Sequence, residues 1–245
     1  MTPLPKFTAS ELDLDRLQDH EGQIVLLVQE DGRMDAVARR INKATKGALA
    51  RFLDSQGFKD LESGKVITLS YPTGLMACAV SVAKINRNAA QGEVRSCGVE
   101  LAKASVSERF IIACSKFKRI SDLIEGMALR NYEYLDQKSE ATPKPFDVEV
   151  MGADALEQQA EIETKMAVLD GVFFTRDLTN APANVLTTSH FAEQLVALSD
   201  LGLKVEVLEE AELEKLGMRT LLCVGQGSDS PSKVVVMRWE GGGEE

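Results

Sequence analysis

The chain has 245 residues, of which 44% are hydrophobic and 27% are charged, a composition typical of globular proteins that bury a sizeable core. Its 38 acidic and 28 basic residues give a formal net charge of −10, which argues against a protein that follows nucleic-acid phosphates through its overall field. Only a local basic patch stays open, and the densest one is Lys116-Phe-Lys-Arg119. No run approaches the ~18 apolar residues of a membrane span and the N-terminus lacks a signal pattern, so we expect a cytoplasmic protein.

The first 136 residues alternate strand-like and helix-like patterns. After an acidic opening with a short strand or turn near residues 12–17, residues 24–28 form a continuous apolar run typical of a buried strand. Helical spacing from Asp35 predicts a single helix that Gly57 closes. Further strands are predicted at residues 66–70, 75–83 and 110–114, and further helices at residues 89–104 and 120–136.

Residues 137–145 form the clearest boundary, because their polar side chains and two prolines cannot build a core. Strict alternation at residues 146–150 predicts a strand with one wet face, and residues 153–175 predict a long helix. The fold class predicted is α/β, with a mixed-sheet, macro-like N-terminal domain over residues 1–150, a linker helix over residues 151–175, and the start of an incomplete α/β domain over residues 176–245.

A defined corner is predicted between two helical patterns, at Asn180, Pro182 and Asn184. Asparagine amides bond to nearby backbone and proline presets one dihedral, so these residues specify a turn and not a flexible linker. An amphipathic run, a strand, an acidic helix and a second strand follow in the order of an α/β domain, at residues 189–201, 203–208, 209–217 and 233–237.

Two histidines and four cysteines are the first candidates for chemistry. His20 and His190 have no second ligand at metal spacing, and His190 follows Ser and Thr residues that cap a helix start, so we interpret it as a surface residue of a capping region. The cysteines form no Cys-x-x-Cys pair, which argues against a zinc knot or a redox motif. We expect all four to be reduced and packed as small apolar residues: Cys78, Cys97, Cys114 and Cys223.

The glycine-containing segment Gly225-Gln-Gly-Ser228, with Ser230 and Pro231 beyond it, allows two interpretations. Successive backbone amides could cradle a phosphate, but the lysine and spacing of a P-loop are missing, as is G-x-G-x-x-G. We favour a structural turn in which the glycines supply dihedral angles that other residues dislike.

Acidic and charged residues near the end of the chain could serve as acid–base groups or cation ligands. The glutamates of the predicted acidic helix have leucines 208, 213 and 216 on the opposite side, so a solvated face is the ordinary interpretation. Arg176 and Asp177 at a helix end are predicted to be structural, and Trp239 to pack at an interface. The acidic residues concerned are Glu209, Glu210, Glu212, Glu214, Glu244 and Glu245.

The last third of the chain resembles the leucyl aminopeptidase (cytosol aminopeptidase) family. The resemblance rests first on Thr-Arg-Asp-Leu-Thr-Asn-Ala-Pro-Ala-Asn-Val-Leu-Thr at residues 175–187. Four further blocks follow in the family's order, at residues 205–210, 216–218, 224–228 and 235–243, whereas the first two thirds agree only loosely with the family's variable N-terminal domain.

The resemblance implies a metal-dependent exopeptidase that releases N-terminal amino acids from peptides. It implies two divalent ions, manganese or zinc, held by a lysine and carboxylates, with an arginine-bound bicarbonate as general base, and a hexamer of the complete protein. The family's metal-binding and catalytic residues begin beyond residue 245, so no catalytic, cofactor-binding or metal-ligating residue is assigned here. We therefore expect a truncated chain that is inactive by itself and binds no metal.

A second interpretation makes the N-terminal domain the working part, as a binding or assembly module. Some family members bind DNA, so the resemblance also admits a DNA-binding regulatory module. The acidic balance of the chain argues against nucleic acid as a partner.

Overall fold

The computed structural model describes residues 2–140 and 146–242. It divides the chain into two compact units, Met1–Phe174 and Thr175–Glu245. The domain limits predicted from the sequence, with a break near residue 150 and a separate linker helix, stay a prediction.

A six-stranded sheet forms the centre of the first unit, with strand order β1-β6-β5-β2-β4-β3. All neighbouring strands are parallel except β3 and β4, which pair antiparallel, so the predicted mixed sheet and α/β fold are confirmed. The strands are β1 (Lys6–Ser10), β2 (Gln23–Val28), β3 (Val66–Ser70), β4 (Ala79–Lys84), β5 (Arg109–Cys114) and β6 (Asp147–Gly152).

Strand β2 lies in the middle of this sheet and is buried on both faces, as its continuous apolar run predicts. Alternate side chains enter opposite cores: Ile24 and Leu26 pack in one apolar cluster and Val25 in the other. Leu26 is in register with Val82 of β4 and with Ala113 of β5. The sheet therefore separates two hydrophobic cores.

Four short helices cover the Leu26 face: α1 (Arg16–Asp19), α2 (Ala36–Ala44), α3 (Ala48–Asp54) and α4 (Gln56–Lys59). The prediction of one helix from Asp35 to Gly57 is wrong. Lys46 and Gly47 have φ angles of 52° and 82°, which a continuing right-handed helix does not allow, and Gly57 lies inside α4 instead of ending a helix.

The opposite face is covered by α5 (Gln91–Lys103) and α6 (Ile120–Asn131). The predicted end of α6 at residue 136 is wrong, because the chain leaves the helix at Tyr132. The two helices approach closely where each has a glycine: a Cβ atom on Gly98 would lie 2.1 Å from the carbonyl oxygen of Leu123, and one on Gly126 2.0 Å from that of Arg95.

A long helix, α7 (Gln159–Asn180), follows a short 3₁₀ turn at Leu156–Gln158. Ile162, Leu169 and Phe173 are its buried side chains, whereas Leu156 in the preceding turn is 52% exposed. Lys165 donates to Asp122 at 3.1 Å and to Glu125 at 2.8 Å, so ion pairs as well as apolar contacts fix α7 on α6. The helix runs five residues beyond the predicted end at Thr175.

The opening stretch and the predicted boundary segment at residues 137–145 are the two loop predictions that remain to be compared with the structure. The opening stretch forms strand β1 and the short helix α1, where a short strand or turn near residues 12–17 was expected. Of the predicted boundary at residues 137–145, residues 141–145 lie outside the described residues.

The second unit contains a two-stranded antiparallel sheet of β7 (Lys204–Leu208) and β8 (Val234–Arg238). The predicted amphipathic run becomes α8 (Thr188–Val196) followed by a 3₁₀ turn, Ala197–Leu201. The acidic helix is α9 (Glu210–Lys215), and α10 (Arg219–Gly225) was not predicted. Both predicted strands are confirmed.

Candidate functional site

The segment richest in motifs, residues 175–187, ends α7 and begins α8. Asn180 donates from its side-chain amide to the carbonyl of Arg176 at 2.9 Å, and the amide of Ala181 donates to the carbonyl of Asp177 at 2.9 Å. Arg176 and Asp177 therefore lie in the last turns of α7, at the helix end that the sequence predicts, and their structural role stays a prediction.

Pro182 lies at the corner between α7 and α8. Its carbonyl accepts bonds from the amides of Val185 and Leu186, both at 2.9 Å. Thr187 then caps α8, because its side-chain oxygen accepts a bond from the amide of His190 at 3.3 Å. The predicted turn is confirmed, although it starts only after Asn180.

A polar contact ties this corner to the loop before β8. Thr188 Oγ1 donates to the carbonyl of Pro231 at 2.7 Å, and next to it Ser232 is buried. A Cβ atom on Gly225 would lie 1.8 Å from Ser232 Oγ, so a larger residue at the end of α10 would require the Ser232 hydroxyl to rotate away. The amide of Ser228 donates to the carbonyl of Gly225 at 2.9 Å, so Gly225-Gln-Gly-Ser228 forms a turn. The predicted reason for its glycines is wrong, because neither Gly225 nor Gly227 has a positive φ angle.

The glutamates around α9 make defined contacts. Glu209 is the N-cap residue and forms a capping box with Glu212, while Lys233 Nζ lies 2.6 Å from both carboxylate oxygens of Glu209. Glu210 accepts a bond from the amide of Ser232 at 2.8 Å. All four glutamates are exposed, so the predicted solvated face is confirmed, and Glu209, Glu210 and Glu212 make these local contacts in addition.

The apolar side of α9 is narrower than predicted. Leu213 is fully buried, but Leu216 is 63% exposed because it follows the last helical residue. Trp239 follows β8 and is 64% exposed. Its indole ring packs against Gly241, since a Cβ atom added to Gly241 would lie 2.6 Å from the ring. Its predicted role at an interface stays a prediction.

Comparison with known proteins identifies what this architecture belongs to. Residues 173–245 match the model of the cytosol aminopeptidase family, catalytic domain. The whole chain is 44% identical over 244 residues to a protein of Dinoroseobacter shibae named "Probable cytosol aminopeptidase", covering 100% of this chain and 50% of that protein. A protein of Cereibacter sphaeroides with the same name is 40% identical over 233 residues, which are 95% of this chain and 48% of that protein.

The chain belongs to the cytosol aminopeptidase family. It spans about half the length of the curated relatives it matches. A solved structure entitled "Bottromycin maturation enzyme BotP in complex with Mn" has a TM-score of 0.65 and 22% sequence identity, over 89% of this chain and 45% of that one. At this identity the likeness shows a shared fold alone. The corner, the turn at Gly225 and β8 all lie in the part that matches the catalytic domain.

The described part of this cytosol aminopeptidase family chain does not fit the pair of metal ions that the resemblance implies. Within residues 2–140 and 146–242, no group of three or more His, Cys, Asp or Glu side chains could hold a metal ion. The carboxylates of Glu209 and Glu210 already bind Lys233 and a backbone amide. Glu244 and Glu245 lie outside the described residues.

The two histidines lie in different units. His20, in the first, is half-buried, and burial, with the nearby charge of Arg109, lowers the pKa of its imidazole. His190, in the second, lies in the first turn of α8, with a ring nitrogen 3.0 Å from the amide nitrogen of Gln194. The structure thus places His190 at the capped helix start that the sequence predicts.

The cysteines do not all follow the prediction that they are packed as small apolar residues. Cys97 and Cys114 are buried, and burial raises the pKa of each thiol to about 12. Cys78 is partly buried and Cys223 is exposed, so the prediction is wrong for Cys223, which lies on the short, exposed helix α10. All four are free thiols.

No helix within the described ranges is long and apolar enough to cross a membrane.

Proposed function

We propose that this chain is the first part of a metal-dependent aminopeptidase, a hydrolase that releases leucine and other N-terminal residues from peptides. The observation that supports this proposal is the match of the whole chain, at 44% identity, to a protein named cytosol aminopeptidase. The family's catalytic-domain model, which covers residues 173–245, supports it further.

In this proposal the chain supplies the first unit and the opening elements of the catalytic domain. Two divalent ions, manganese or zinc, serve the complete protein, and the ligands come from the family sequence that follows the matched segment. The chain of 245 residues is then inactive alone, in line with the engaged carboxylates of Glu209 and Glu210. In this proposal, the second unit supplies the corner at Pro182 and the paired strands β7 and β8, which precede the metal-binding residues of the complete protein.

The proposal extends to location and partners. Peptides are the substrates, the complete protein is a homo-hexamer, and neither a membrane nor nucleic acid is a partner. The name of the relatives, cytosol aminopeptidase, supports a cytoplasmic location. The net charge of −10 supports the exclusion of nucleic acid.

The test is hydrolysis of a leucyl chromogenic amide with added manganese or zinc, against a chelated control. We expect no turnover from the folded 245-residue chain. We expect chelator-sensitive turnover when this chain is joined to the second half of the Dinoroseobacter shibae relative. Chelator-sensitive turnover by the 245-residue chain would refute its inactivity, and a folded but inactive joined protein would refute the aminopeptidase assignment.

A further inference from the structure

The first unit has a crevice at the carboxyl ends of its central strands. The connection that leaves β2 passes through α2 to α4 on one face of the sheet, whereas the connections that leave β4 and β5 pass through α5 and α6 on the other face. Because β4 and β5 are the two neighbours of β2, the chain departs in opposite directions from adjacent strand ends. Such a topological switch point is where open α/β sheets usually bind ligands.

Three cationic side chains line this crevice, and each comes from a different strand end. Arg33 follows β2, Arg87 follows β4, and Lys116 follows β5, and all three are exposed. Gln29 adds a side-chain amide, and Cys114 lies buried at the end of β5. The sheet thus brings together three cations that are up to 83 positions apart in the sequence, from Arg33 to Lys116.

Asp35 supplies a carboxylate to the lining of the crevice, and both of its oxygens accept hydrogen bonds from backbone amides. One of its oxygens accepts a bond from the amide of Ala38 at 2.8 Å, and the other accepts one from the amide of Ser115 at 3.0 Å. No ion pair joins Arg33, Arg87 or Lys116 to a carboxylate among the residues that the structure describes. In a chain with a net charge of −10, three cations without a carboxylate partner at one point form a local positive site.

The chemistry of these groups selects an oxyanion. Guanidinium groups present a planar fork of donors that matches phosphate oxygens, and a lysine ammonium adds a compact point charge. Three cations that converge from three loops favour a ligand with more than one negative charge. The crevice itself encloses only about 10 Å³ and its three cations are exposed, so a phosphate group would bind at its mouth. The acidic balance of the rest of the chain disfavours a nucleic-acid backbone as the ligand.

We propose that the crevice lined by Arg33, Arg87 and Lys116 binds the phosphate or diphosphate group of a small phosphorylated molecule. This site lies wholly in the first unit and does not depend on the proposed peptidase activity. Asp35 positions the surrounding loops, because its two bonds join the start of α2 to the end of β5.

The test is titration of the 245-residue chain with inorganic phosphate, pyrophosphate and ADP, followed by calorimetry and by phosphorus NMR. We expect pyrophosphate and ADP to bind more tightly than phosphate, and binding to weaken as salt rises. Because a hydrogen bond to a charged group is lost each time, R33Q and R87Q should each weaken pyrophosphate binding about tenfold. K116E, which reverses one charge, should weaken it further.

The matched control is K118Q, which removes the same charge two residues away from Lys116, at an exposed position outside the crevice. It should change pyrophosphate affinity less than about twofold, because screened surface charges contribute little. Circular dichroism confirms that the variants fold; the substituted side chains are exposed.

Three outcomes would overturn the proposal. The first is that none of the three probes binds at millimolar concentration. The second is that K118Q weakens binding as much as R33Q and R87Q do. The third is that a DNA duplex binds more tightly than pyrophosphate and that the same variants abolish this binding, which would make the crevice a nucleic-acid surface.

Discussion

The two units of this chain are stabilised in different ways. The first has a six-stranded sheet with an apolar cluster on each face, so burial fixes its strands from both sides. In the described part of the second, from residue 175 to 242, the buried side chains are those of Ala192, Leu195, Leu213 and Ser232. Beside these few buried side chains, it has a capping box at Glu209 and an ion pair between Lys233 and Glu209. Helices and strands of similar regularity thus form in the two units although the second buries far fewer side chains.

This difference has a consequence for stability. A two-stranded sheet such as β7 and β8 is marginal in water without packing, whereas a sheet that is covered on both faces unfolds cooperatively. A destabilising substitution in the first unit should therefore lower the global free energy of unfolding. One in the second unit should only increase local opening.

The largest effect is expected for G126A, which challenges the close contact of α5 and α6. The added Cβ atom would lie 2.0 Å from the carbonyl oxygen of Arg95, so the helices must separate in the middle of a buried face. We expect a loss of about 3 kcal/mol in the free energy of unfolding, measured by urea denaturation.

The control for this substitution is G92A on the partner helix α5, where a Cβ atom would meet nothing within 4 Å. Alanine is the better helix former, so G92A should raise stability by about 0.5 kcal/mol. Equal losses in G126A and G92A would show that the close contact of α5 and α6 does not limit stability.

A smaller and local effect is expected for L213A in the second unit. Leu213 is fully buried in α9, and its truncation should cost about 2 kcal/mol of local stability. Hydrogen exchange should accelerate in β7, α9 and β8 and stay unchanged in α5 and α6. L216A is the matched control, because Leu216 is 63% exposed and its truncation should leave exchange unaltered. Faster exchange in α5 and α6 of L213A would contradict the separate stabilities of the two units.

Strands were easier to predict from this sequence than helix ends. The run at residues 66–70 coincides with β3, because apolar, β-branched residues are bounded by turn residues on both sides. The single helix from Asp35 failed because helical spacing continues across Lys46 and Gly47, where the backbone enters the left-handed region. Periodicity reports which face is buried and says little about a local break.

The candidate site could be predicted only in part, for a related reason. The corner at Pro182 has a local cause in its own turn residues, so it was predicted. The crevice of Arg33, Arg87 and Lys116 depends on strand order, which places the ends of β2, β4 and β5 side by side. Lys116 was noted as part of a basic stretch, but no spacing rule connects it to the two arginines.

An acid-dependent effect of moderate size is expected at Glu149, on β6 of the first unit. Burial raises the pKa of this carboxyl, but hydrogen bonds from Ser10 and Arg16 and the charge of Arg16 outweigh it, so the pKa lies below its ordinary value of 4.5. The stabilisation is therefore present above pH 4.5 and is lost as the pH falls through the lowered pKa.

E149Q should accordingly lose about 1 kcal/mol at pH 7, since Arg16 is half-exposed, and should show a shallower loss of stability below pH 4.5. Melting temperatures recorded from pH 7 to pH 3 measure both. E157Q, at an exposed glutamate of the 3₁₀ turn, serves as the control and should follow the unsubstituted chain. An acid limb as steep in E149Q as in the unsubstituted chain would exclude Glu149 as a source of the acid dependence.

The smallest effect is expected at Cys223, where the two units differ in thiol exposure rather than in stability. Cys223 on α10 is exposed, whereas burial raises the pKa of Cys97 and Cys114 in the first unit to about 12. A thiol reagent at pH 8 should therefore modify Cys223 rapidly, and Cys97 and Cys114 only after the first unit unfolds. C223S should remove the fast phase and change stability by less than about 0.5 kcal/mol. Mass spectrometry of the modified peptides identifies which cysteine has reacted. Rapid labelling of Cys97 or Cys114 in the native chain would mean that the core of the first unit opens far more readily than its burial implies.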